Sequence, residues 1–223
     1  MNPASVPLPL CRRFVPDTED EEDALLLSAC ASSKTPEAMF PPRTGGMRRY
    51  IHARDPRMLL LQTAGACLDN GLPQHRLRAG AAFVFGPTKT NPNNAEAEQG
   101  VSGMVLGPQD ASSSRAELVA VIAALRARHW LAEGFDKVVV ATNSEYAVNG
   151  CTEWCRAWEA REWRTSRGRP VRNRDLWEEL ICLIESIRRW GSEVFFWQIP
   201  SQWNAKADAA AKEAAEMGQE TSR

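Results

Sequence analysis

Three short apolar runs between residues 58 and 106 are separated by turn-forming stretches, and each reads as a strand. MLLLQT at 58–63 opens with four consecutive apolar residues, AGAAFVFG at 79–86 alternates small and large side chains, and GVSGMVL at 100–106 is the third. Turns at Asn70-Gly71 and over 87–94 make the three an antiparallel meander. The serines at 112–114 offer N-cap hydroxyls for a helix reaching about 132, with Leu118, Val121, Ile122 and Leu125 on one face. VVVAT at 138–142 is the kind of continuous run that marks a strand buried on both faces. A Trp-bearing amphipathic helix over 145–162 and an Arg-rich loop follow. The next helix spans 174–190, with Leu176, Leu180, Leu183, Ile184 and Ile187 inward. EVFFWQI at 193–199 is the last strand, and 205–217 a helix of small residues. The order β-β-β-α-β-α-α-β-α predicts an α/β fold with a five-stranded mixed sheet, a three-strand meander plus two further strands, flanked by helices.

Upstream of about residue 47 this pattern fades. Pro-rich pieces, an acidic run at 17–23 and the small-residue stretch SACASSKT offer little to bury. They predict a largely disordered N-terminal extension over 1–47, a folded domain over 48–218 and a short tail over 219–223. RRFV at 12–15 and RRYI at 48–51, each followed by a triple leucine, form a faint echo that reads as chance.

Composition narrows the function classes a little. The 223 residues are 43% hydrophobic and 25% charged with a net charge of −1, so no global field draws the chain to nucleic acid or membrane. No apolar run approaches the roughly 20 residues of a membrane span, and the N-terminus has neither signal nor transit character. The six cysteines are scattered without a CxxC pair, with three His beside them. They read as thiols rather than as a zinc site, although Cys151 and Cys155 share a helix face. A monomer in a reducing compartment, cytoplasmic or nuclear, is the expectation.

Four positions stand at strand ends or on helices facing them: Ala64, Glu117 in SSSRAEL, Asn143 in ATNSEYAV, and Asp208 in NAKADAAAK. With TAGACLDNG, RAGAAFVFGP, SRAELVAVIAALRARHW, VVVATNSEYAVNG, WRTSRGRPVRNRDLW and NAKADAAAK in that order over about 58–215, the sequence resembles the type 1 ribonuclease H family. It is most similar to fungal ribonuclease H-like proteins. The resemblance implies an endonuclease that hydrolyses the RNA strand of an RNA–DNA hybrid, with four carboxylates holding two magnesium ions. A cluster of Asp and Glu suits that hard, oxygen-seeking cation, and two such ions serve the attacking and leaving oxygens.

By residue match the ligand positions are 64, 117, 143 and 208. Glu117 and Asp208 are retained, whereas Ala64 and Asn143 replace Asp. A methyl group supplies no oxygen and an amide only a neutral one. Even outer-shell defects cost about 10–100-fold in affinity or activity, so two lost ligands imply a weak or inactive nuclease. At most one magnesium, or manganese in its place, is expected to bind, and weakly. Asp69 and Glu145 lie near the lost positions, but neither is a family ligand. The family's polar residue before RAE is here Ser114, and the mobile His before the last Asp has no counterpart in IPSQWNAKAD.

The binding apparatus resembles the family more fully. Over 156–174 seven Arg stand against Glu159 and Glu162, matching the family's basic protrusion. Phosphate contacts of this kind give salt-dependent, sequence-independent affinity. The resemblance carries nucleic-acid contact to Gly65, Cys67, Asn70, Ser114, Arg115, Trp163, Arg164, Arg167, Arg169, Arg172 and Asn173. Trp163 matches a position packing on DNA sugar, Asn173 one holding a DNA phosphate, and Asn70 a minor-groove contact. Trp154, Trp158 and His129 read as packing or capping groups instead. Two functions remain open: a duplex or hybrid binder with impaired cleavage, and a protein-interaction scaffold that ignores nucleic acid.

Overall fold

The computed structural model describes residues 9–16, 34–43, 48–68, 78–87, 100–107 and 111–217. Along the chain lie β1 (Arg12–Arg13), α1 (Pro36–Met39), β2 (Met58–Leu68), β3 (Arg78–Val84), β4 (Val101–Leu106), α2 (Ser113–Arg126) and β5 (Lys137–Thr142). Next come α3 (Glu145–Asn149), a π-turn (Gly150–Trp154), α4 (Cys155–Ala160), α5 (Arg174–Arg189), β6 (Glu193–Gln198) and α6 (Ala205–Met217). The sheet order is β1-β6-β5-β2-β3-β4. The meander β2-β3-β4 is antiparallel, as its turns predict, while β5 pairs in parallel with β2 and β6.

The sheet has six strands, not the expected five. β1 pairs in parallel with β6, Arg12 opposite Phe195, from a segment that the sequence places outside the domain. Leu10, Cys11 and Phe40 are fully or almost fully buried. Phe14 and Phe40 pack their rings 5.7 Å apart, and Phe14 lies 5.2 Å from Trp197. Residues 9–16 and 34–43 therefore belong to the folded body. A two-residue strand has no periodicity to read, and its pairing partner lies 183 residues away.

Helices cover both faces. On one, α2 and α5 bury Leu118, Val121, Leu180 and Ile184 against Leu59, Leu61, Val138 and Val140. On the other, α6 presents Ala207 and Ala211 to Leu60, Ala64, Val139 and Ala141. β5 is thus buried on both faces, as its run of β-branched residues predicts. The small residues of α6 let it lie close: a Cβ at Gly80 would stand 2.3 Å from Ala211 O.

Two helices depart from their predicted spans. α2 ends at Arg126 rather than near 132, because Trp130 folds back to donate its indole N–H to Ala124 O at 3.1 Å. The helix expected over 145–162 is broken by the π-turn, where Gly150 lies so close to the Trp177 ring that a Cβ would meet it at 1.9 Å. None of the described helices is long and apolar enough to cross a membrane.

Candidate functional site

The candidate site forms where β2, β5 and the two helix starts meet. Gly65 in β2 has no side chain because none fits: a Cβ would lie 2.2 Å from Glu117 N. That approach seats Glu117 of α2 beside the strand. α2 itself begins at Ser112, whose Oγ accepts from Arg115 N at 3.3 Å, the predicted serine cap. β5 ends at Thr142, and Asn143 and Ser144 follow. Ser144 Oγ caps α3 by accepting from Ala147 N at 3.2 Å and donates to Glu117 Oε2 at 2.5 Å.

Asn143 is bonded at both ends of its amide. Its Oδ1 accepts from Asn204 Nδ2 at 3.1 Å, its Nδ2 donates to Ser201 Oγ at 3.1 Å, and it also hydrogen-bonds the Asp208 carboxylate. Asn204 is completely buried and donates to Thr63 O at 2.9 Å, tying β2 to the start of α6. Beside it, Asn204 Oδ1 and Thr63 Oγ1 are buried without a hydrogen-bond partner among the described residues. Ala64, 2% exposed, turns its methyl toward Ala207 and Ala211.

The two remaining carboxylates are poorly solvated. Burial pushes Glu117 above the usual carboxylate range, the Ser144 hydrogen bond opposes this, and the nearby Asp208 charge adds to it. Burial likewise raises Asp208, against the opposing effects of Lys212 and the Asn143 bond.

A profile of the RNase H family matches residues 56–216, nearly the whole of this sheet and its helices. The chain belongs to the RNase H family. It is 37% identical over 155 residues to the ribonuclease H of Anaplasma marginale, spanning 68% of this chain and 86% of the relative. It is 36% identical over 134 residues to that of Treponema pallidum, covering 58% of this chain and 74% of the relative. Among solved structures, a type 1 RNase H with the type 2 active-site motif superposes with a TM-score of 0.53 at 24% identity, over 72% of each chain. A foamy viral protease-reverse transcriptase in complex with RNA/DNA hybrid gives 0.53 at 18% identity, over 83% of this chain and 24% of the viral one. Both likenesses support the fold.

RNase H family members generally depend on a divalent metal ion. The residues present in this RNase H do not fit a pair of them. Glu117 and Asp208 are two carboxylates, too few to balance two dications, and the amide oxygen at 143 already accepts from Asn204. Among the described residues no three His, Cys, Asp or Glu side chains come together as a metal site.

The residues expected to contact nucleic acid fall into three groups. Arg164, Arg167, Arg169 and Arg172 are exposed on the loop before α5, and none pairs with a carboxylate among the described residues. The loop is held in shape by Thr165 N–H donating to Arg169 O at 2.8 Å and by Gly168 at a φ of 74°. Asn173 takes a left-handed conformation (φ 56°), and with Trp177 it donates to Tyr146 Oη at 3.4 and 2.8 Å. Tyr146 in turn donates to Arg172 O at 3.2 Å, linking the loop to the helix that follows Asn143.

The second group is partly committed elsewhere. Trp163 is 8% exposed within the core, with the Arg174 guanidinium 5.5 Å above its ring. Arg115 makes a bidentate pair with Asp175 at 2.9 and 2.7 Å. Gly65, Cys67 and Ser114 are half-buried near Glu117. The third group, Asn70 with neighbouring Asp69, lies outside the described residues; Glu145 is exposed at the start of α3.

Sequence reasoning missed Ser144, Ser201, Asn204 and Tyr146. All four lie inside or next to motifs that it used, but nothing in the sequence pairs Asn204 with Thr63, 141 residues away.

Proposed function

We propose that this RNase H family member binds RNA–DNA hybrid and has lost most or all of the family's RNA-strand hydrolysis. The carrying observation is the hydrogen-bonded amide of Asn143 beside the Ala64 methyl, where the resemblance implies two metal-binding carboxylates. With Glu117 and Asp208 as the remaining anionic donors, the site holds at most one magnesium or manganese ion, and weakly. The exposed Arg164, Arg167, Arg169 and Arg172 support retained binding, as does the hybrid seen with the foamy viral neighbour. Ser114 and Asn173 are proposed as further contacts, with Asn70 outside the described residues. The protein acts as a monomer on duplexes in cytoplasm or nucleus.

Replacing those four arginines with Gln tests the binding half. A gel-shift salt titration on a hybrid should show weaker binding and a flatter log–log slope, each lost phosphate contact removing about 0.9. The melting temperature should hold, because these side chains are exposed. A probe that the unaltered chain never shifts would favour the scaffold reading instead.

A further inference from the structure

A cavity of about 330 Å³ opens far from the candidate site. Val138 on its wall lies five residues before Asn143, about 16 Å along an extended strand. The floor is aliphatic, made by Leu125 of α2, Val138 of β5, and Leu183 and Ile187 of α5. The rim is different. Trp190 stands 57% exposed there, with its ring 5.3 Å from that of His129. Arg126 and Arg128 complete it, and among the described residues no carboxylate lines the cavity.

The cationic rim keeps capacity for an anion. Arg126 pairs with Glu179, and Arg128 reaches Glu133 only at 3.7 Å; their side chains are 55% and 46% exposed. A guanidinium has five donors, so one carboxylate neighbour leaves others for a second acceptor. His129 Nδ1 accepts from Ala132 N at 3.1 Å, which puts the proton of its neutral form on Nε2. Ser192, also on the wall, keeps a buried hydroxyl without a partner among the described residues.

We propose that this cavity docks a peptide segment of a partner protein, with a Leu or Phe anchor flanked by Asp or Glu. Its volume is at the small end of ligand sites, suited to one large side chain. The aliphatic floor lacks the hydrogen-bonding edge that would read a nucleobase, which favours an apolar anchor. Two guanidiniums and an imidazole at the rim select acidic flanks over basic ones. An exposed Trp beside a pocket is the kind of residue that carries binding energy at interfaces.

Calorimetry on the full chain tests this with three synthetic peptides: acetyl-Asp-Glu-Leu-Phe-Glu-Asp-amide, the same peptide with Ala-Ala at the centre, and the same with Lys at all four flanks. The first should bind, and the other two should bind at least about tenfold more weakly. Trp190→Ala should weaken the first peptide about tenfold without lowering the melting temperature, since the ring is mostly in solvent. The Arg126→Gln, Arg128→Gln pair should weaken it and flatten its salt dependence. Absence of binding at millimolar peptide, equal binding of all three, or binding indifferent to Trp190→Ala would each overturn the proposal. An oligothymidylate that binds instead, and loses affinity on Trp190→Ala, would assign the cavity to single-stranded nucleic acid and also overturn it.

Discussion

The neighbours of Asn143 use both ends of its amide. Asn204 donates to its oxygen, and its nitrogen serves Ser201 and Asp208, so a connected polar network surrounds this position. The strain left in the site is the pair of half-buried carboxyl groups. Burial raises Glu117 above its unfolded-state value, so its contribution to stability is present at low pH and lost as pH rises through the raised value. Glu117→Gln keeps an oxygen for Ser144 and removes the charge. Thermal melts should therefore show it more stable than the unaltered chain at neutral pH, with the gain vanishing near about pH 3, where both carry a neutral side chain. A gain that persists at low pH would point to packing instead. That Glu117, Asn143 and Asp208 come together was legible from the order of the motifs that carry them. Ser144 and Asn204 were not, because their partners come from distant segments that only folding brings together.

At the scale of elements, strand character was the most legible feature, since β-branched runs and period-two alternation are local properties of the chain. Helix ends were less so. Nothing near Arg126 in the sequence announces that Trp130 will return to Ala124 O, nor near Gly150 that Trp177 will press on it. The contact that sets the site is another tertiary one, the crossing of β2 and α2 at Gly65. Gly65→Ala would force a methyl group into the backbone of Glu117 and push the elements apart. Urea denaturation should register a loss of about 1–3 kcal/mol. Unchanged stability would mean that α2 shifts freely, and that Glu117 is not held by this crossing.

For the whole molecule, packing reaches upstream of residue 48. Charge, Pro and small residues dominate 1–47, yet Leu10 and Phe40 are fully buried and β1 closes the β6 edge. Two short apolar stretches are enough to dock when a sheet edge and an aromatic cluster await them, and composition averaged over 47 residues hides them. Leu10→Ala should cost about 2–4 kcal/mol of global stability in urea melts, whereas a dangling extension would lose nothing. The central claim is also a whole-molecule one: a folded, hybrid-binding RNase H body whose cleavage site lacks two acids. The most direct test is cleavage of the RNA strand of a hybrid by four chains: unaltered, Ala64→Asp, Asn143→Asp, and both together, each with magnesium and with manganese. The account predicts cleavage by the double variant and near-background rates from the other three, because the ligands of such a site act as a unit. Robust cleavage by the unaltered chain, or none by a folded double variant, would contradict it.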